Sequence, residues 1–141
     1  MKETLKIMPL VLYFFIGIIS FMMALKSVFS KKYLPFHEAA AGKPWNEIDK
    51  PLQFVFLSIL RLGGLGFLVM SILLIGCSLA GIFTPNIFSA FIIPVIALIY
   101  CTGLFANNYY LYKKTRADAP WKGSLYAMFA VIAGIVITIV N

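Results

Sequence analysis

Three observations predict an all-α fold, a polytopic four-transmembrane-helix bundle with short connections and a longer first loop on the cytoplasmic side. Hydrophobic residues make up 62% of the 141 and charged residues 12%, whereas a soluble domain is about a quarter charged. The apolar residues fall into four long runs, and four spans of ~20 residues with their connections use nearly all of such a chain. The basic residues gather between the runs rather than within them. Residues 1–141 therefore read as a single integral membrane domain.

The first predicted helix covers 7–25, after Lys2 and Lys6. Its apolar run exceeds the ~7–15 residues of a signal-peptide core, and Phe21, Met22 and Met23 stand where a polar cleavage region would lie, so it is expected to be retained. Residues 26–50 form the first loop, broken by Pro35, Gly42 and Pro44. The next apolar run, Pro51 to Ile82, would reach ~48 Å as a straight helix, too long for one crossing. A second helix at 54–82 with part of its length outside the hydrocarbon is predicted. In Thr84-Pro85-Asn86, Thr84 suits an N-cap and Pro85 a first helical position, which makes a tight turn. The third helix, 86–111, contains Pro94, which should kink or bend it. Polar residues Lys113 to Ala119 follow, and Pro120 opens the fourth helix, 121–140.

Twelve Lys and Arg against five Asp and Glu give a formal charge of +7 and an isoelectric point near 9.5. In a chain of mean hydropathy +0.95 such charge marks cytoplasmic loops facing anionic lipid headgroups, not nucleic acid. The distribution sets the orientation. Lys26, Lys31, Lys32, Lys43, Lys50, Lys113, Lys114, Arg116 and Lys122 border the first and third loops, and only Lys2 and Lys6 lie on the other side. Both termini and the Thr84-Pro85-Asn86 turn are thus expected outside, in the periplasm. Tyr33, Trp45, Tyr109, Tyr110, Tyr112 and Trp121 flank the basic loops, where amphipathic rings favour the headgroup level.

Arg61 is the one ionisable residue within an apolar run, and two readings compete. If the crossing begins at Pro51, Arg61 lies ~15 Å deep and needs a carboxylate, carbonyls or water, which marks a functional cavity. If the crossing is Leu62 to Ile82, roughly 31 Å, Arg61 sits at the edge and snorkels as an anchor. The second reading leaves Leu52, Phe54, Val55, Phe56, Leu57, Ile59 and Leu60 needing cover. A deep Arg61 could find a counter-charge in Glu38, Glu47 or Asp49 of the first loop, or in Asp118. Phe29, Leu34, Phe36, Trp45 and Ile48 make that loop apolar enough to fold onto the bundle, bringing His37, Glu38, Glu47 and Asp49 towards the cytoplasmic mouth. With Thr102, Ser58, Asn107 and Asn108, a polar cavity results. Arg61, Glu47, Asp49, His37, Asn107 and Asn108 are the candidate ligand-binding residues; the competing reading is that backbone carbonyls and interfacial water satisfy them.

Other chemistry is not indicated. His37 beside Glu38 lacks the three or four ligands of a zinc site, no cofactor motif is present, and Cys77 and Cys101 have no neighbouring base for nucleophilic catalysis. The two cysteines differ in depth by roughly 15 Å, too far for an intrachain disulfide. No span holds the carboxylate usual in proton-coupled transport. Small residues do recur: Gly63, Gly64, Gly66, Ser71, Gly76 and Gly81 in the second helix, and Ala130, Gly134 and Thr138 in the fourth. They allow close helix approach within the monomer, or between copies in a homo- or hetero-oligomer.

Pro44-Trp45 with Ile48-Asp49, then Leu52-Gln53, Arg61 and Gly63-Gly64-x-Gly66, and Ala119-Pro120-Trp121 opening the last helix, resemble small uncharacterised four-helix inner-membrane proteins of bacteria. The resemblance implies topology and a bacterial inner membrane but transfers no activity and no site. Membrane glutathione transferases share the length and topology, but their Glu-Arg-containing second-helix signature has no counterpart around Arg61. Two expectations of function follow: a non-enzymatic bundle acting as a subunit or accessory of a membrane assembly, or a binder or enzyme for a lipophilic anionic molecule in a cytoplasm-facing cavity near Arg61.

Overall fold

The computed structural model describes residues 2–84 and 86–140, with side chains from Ile7 onward. Its α-helices are α1 (Lys2–Val28), α2 (Pro35–Ala41), α3 (Lys50–Phe83), α4 (Ile93–Thr115) and α5 (Trp121–Val140), with a 3-10 turn at Trp45–Glu47 and a π turn at Phe88–Ile92 that runs into α4. Taking the π turn with α4, four helices are long and apolar enough to cross a membrane. Helix α5 begins and ends where the sequence predicts. Helices α1 and α3 are longer by one to five residues per end, and the third span starts two residues later than predicted, at Phe88, and ends four later, at Thr115, because polar residues of good helix propensity continue a helix past the apolar stretch that marks a span.

Helix α1 is the hub, packing along α3 and α5, while α4 packs on α5 and meets α3 at only a few places. Tyr13, Ile16, Met70, Leu74, Cys77, Ala97 and Val131 form the core between them. Glycines set the spacing of α1 and α3. A Cβ on Gly64 would fall 2.8 Å from Val28 and 2.9 Å from Ser27, one on Gly17 2.8 Å from Ile75, and one on Gly81 2.6 Å from Leu10. In lipid such close backbone approach supplies the dispersion contact that substitutes for a hydrophobic drive. On the other side of α1, Gly134 of α5 lies against the Tyr13 ring, 2.6 Å from where its Cβ would stand. The small-residue faces of α3 and α5 are thus largely occupied within the monomer, whereas Gly63 and Gly76 face open space.

These three α1–α3 pairings run antiparallel in constant register. Arg61 therefore stands level with Ser30, just past the end of α1, and the first twelve residues of α3 project roughly 18 Å beyond α1. The first loop braces one face of this projection. Gln53 donates its amide to the Trp45 and Ile48 carbonyls at 2.8 and 2.9 Å, and the Tyr33 ring sits edge-on to Trp45 and Phe56. Leu52, Phe54, Val55 and Ile59 on the rest of the projection are exposed.

At the turn end the expected cap is corrected. Thr84 donates its hydroxyl back to the Ala80 carbonyl and so closes α3; Pro85 as a first helical residue lies outside the described residues. Asn86 starts the next helix instead, its Oδ1 accepting from the Ser89 N–H at 3.0 Å while Ser89 Oγ accepts from the Asn86 N–H. This reciprocal box works because each short polar side chain satisfies a backbone group that the first helical turn leaves open. The irregularity expected at Pro94 takes the form of the π turn just before it. There the Ile93 N–H bonds the Phe88 carbonyl, five residues back. The Ser89 carbonyl loses its ordinary donor at Ile93, and its next candidate, Pro94, has no N–H. The buried Cys77 thiol of α3 fills that vacancy, donating to Ser89 O at 3.0 Å.

Candidate functional site

Beyond the Cys77–Ser89 contact, α3 and α4 touch again where Tyr100 meets Gly66 and the Phe67 ring, and then part. Two adjoining cavities of about 520 and 500 Å³ open there, each within the usual ~300–1,000 Å³ of a small-molecule pocket. The mouth chamber lies between α3 and α4 beneath α2; the deep chamber lies between α1, α4 and α5. Met23, Phe67, Leu104, Asn108 and Pro120 line both.

Helix α2 roofs the mouth. Pro35 opens it at a position where its missing N–H costs nothing. Gly42 ends it at φ 65°, a left-handed cap whose N–H bonds the Glu38 carbonyl; any side chain there would meet its own backbone. The Tyr33 hydroxyl donates to the Lys43 carbonyl, fastening the segment after α2 to the one before it. Phe36 and His37 thereby face the mouth chamber. Burial holds the His37 imidazole below its ordinary pKa of 6.5, because desolvation disfavours the charged ring.

The other polar groups come from α1, α4 and α5. Ser27 is buried in the mouth chamber, Asn107 stands at its rim, and Asn108 spans both chambers, donating its amide to Ser124 Oγ at 3.1 Å. The Asn108 carbonyl oxygen, the Asn107 amide and the His37 ring nitrogens have no protein hydrogen-bond partner among the described residues. The remaining walls are chiefly apolar, with Phe15, Ile16, Ile19, Leu104 and Ala127 in the deep chamber. Neither chamber is lined by a Lys, Arg, Asp or Glu.

Three of the sequence-predicted candidates, His37, Asn107 and Asn108, are brought together here. Arg61, Glu47 and Asp49 are not. Along α3, Phe56, Ile59, Leu60, Gly63 and Phe67 face the mouth chamber, whereas Phe54, Leu57, Ser58, Arg61, Leu62 and Leu65 line a surface groove. At 100° per residue these two sets occupy opposite faces. Arg61 is exposed on the groove side, Glu47 and Asp49 are exposed in the loop, and none of the three forms an ion pair among the described residues. Arg61 thus faces outward from α3, level with Ser30 just past the end of α1. Phe67, Tyr100, Leu104 and Ser27 also line the chambers, and nothing in the sequence singles them out, since a helix apolar all round carries no periodic signal separating a cavity face from a lipid face.

No family model, curated protein or solved structure matches this chain.

Proposed function

We propose that this chain is a non-enzymatic multi-pass protein of a bacterial inner membrane that binds a lipophilic small molecule in the chambers between its helices. Both termini and the Thr84–Asn86 turn lie outside and the basic loops in the cytoplasm, on the strength of the Lys and Arg distribution. The observation that carries the binding reading is the pair of adjoining cavities of about 520 and 500 Å³, with chiefly apolar walls and with free amide and imidazole groups at the mouth. Both spaces open to the surface past exposed Phe15, Ile19, Ile59 and Tyr126, and their apolar walls make dispersion contacts only with a molecule lying in them. Leu104, which lines both chambers, gives the test. Lipid extraction and mass spectrometry of the purified protein should find a lipophilic molecule at near-stoichiometric amount in the wild type and strongly reduced in Leu104→Trp. Equal amounts in both would contradict the proposal.

A second reading, that the chain is a subunit or accessory of a membrane assembly, is favoured by the exposed apolar side chains Leu52, Phe54 and Val55 of the α3 projection. Apolar side chains held clear of the bundle need cover from another surface. Purification as a monomer with no associated protein in mild detergent would count against it.

A further inference from the structure

The chambers also specify the kind of molecule they hold, an inference that rests on the binding reading above. An ionised headgroup buried in an apolar site needs a counter-charge, and neither chamber lining contains one. Arg61, the cation nearest in sequence to the cavity-lining stretch of α3, lies on the opposite face of that helix. The polar groups present are uncharged amides, hydroxyls and the imidazole. The amides and the imidazole sit at one end of the space: His37 and Asn107 line only the mouth chamber, and Asn108 lies where the two chambers join. Beyond it the walls are chiefly apolar, Phe15, Ile16, Ile19, Leu104 and Ala127 among them, and the hydroxyls of Ser20, Tyr100, Ser124 and Tyr126 are scattered along them without an amide or a charge.

We infer that the ligand is an uncharged amphipathic lipid, its small hydrogen-bonding head held by Asn107, Asn108 and His37 in the mouth chamber and its hydrocarbon chain in the deep chamber. Asn107 can both donate and accept, Asn108 keeps a free acceptor, and a neutral imidazole offers one of each. That set suits a hydroxyl, which exchanges both kinds of bond, or a carbonyl, which takes only the donors. A phosphate or carboxylate would bring charge with no cation to meet it.

Binding to the detergent-solubilised full chain of a long-chain alcohol, a ketone and a carboxylate at pH 8, all of one chain length, separates the possibilities. The alcohol or the ketone should bind at least about tenfold more tightly than the carboxylate, given the cost of burying an unpaired charge. Asn107→Leu and His37→Phe should each weaken the better neutral probe by roughly fivefold, the scale of one lost hydrogen bond, and Arg61→Leu should change nothing. If the alcohol wins, the site reads a hydroxyl; if the ketone wins, it reads a carbonyl; both support the inference. Carboxylate binding as tight as that of the neutral probes, or loss of binding in Arg61→Leu, would overturn the headgroup assignment while leaving a lipophilic site in place. Failure of all three probes to bind would overturn the binding reading itself.

Discussion

Cys77 shows how a single atom can follow from distant sequence events. A proline at 94 and the π turn before it strip the Ser89 carbonyl of both backbone donors, and the one thiol at that depth on α3 supplies a replacement. Cys77→Ala should therefore leave a buried acceptor unpaired and cost about 1–3 kcal/mol, read as a lower melting temperature in detergent, while Cys77→Ser, which keeps a donor, should recover most of the loss. Equal destabilisation by both would mean that volume, not the hydrogen bond, matters at 77. Glycines give a second contrast. Gly134→Ala drives a methyl into the enclosed Tyr13 ring, whereas Gly76→Ala points into open space. Overpacking of a fixed ring costs about 1–3 kcal/mol, so Gly134→Ala should melt lower and Gly76→Ala should equal or exceed the wild type, since alanine is the better helix former. Neither distinction was visible in the sequence. Gly76 and Gly134 both read there as parts of small-residue stripes, and only the position of Tyr13 tells them apart.

At the scale of elements, α2 is the roof of the site, and its half-buried His37 makes its docking sensitive to pH. Because the folded pKa of His37 lies below the ordinary 6.5, the unfolded or undocked state binds more protons between those two values, and stability rises with pH across that window. Docking is at full strength above about 6.5 and weakens as pH falls towards the folded pKa. Hydrogen exchange of residues 35–41 should accelerate, relative to that of α1, from pH 7.5 to pH 5 once intrinsic rates are corrected, and His37→Phe should remove the difference. The same element explains what the sequence left unresolved. Phe36 and Leu34 signalled a loop that folds back onto the bundle, which it does, but sequence could not say which face of α3 it would roof. Arg61 and Gly63 are two residues apart and 160° apart around the helix axis, and only the packing of Gly64 against Ser27 and Val28 fixes which of them faces inward.

For the whole molecule, the four long helices were legible because bilayer thickness and hydropathy constrain them strongly. The cavity was not, because it arises from a disagreement among helix pairings. Helix α1 packs tightly on α3 and on α5, α4 follows α5, and the α3–α4 edge is left open beyond Tyr100. Orientation is a separate matter of charge. Labelling of a Ser30→Cys variant in intact cells should be blocked until the inner membrane is opened; reaction with an impermeant maleimide applied from the periplasmic side would reverse the topology. The central claim is that a neutral lipophilic molecule occupies the space between α1, α3, α4 and α5. The most direct test is photo-crosslinking of the purified protein with a diazirine-bearing neutral lipid, mapped by mass spectrometry. The account predicts adducts on Met23, Phe67 and Leu104, lost on competition with unlabelled lipid. Adducts confined to Leu62, Leu65 and Ile72 on the exposed face of α3, undiminished by competitor, would contradict it.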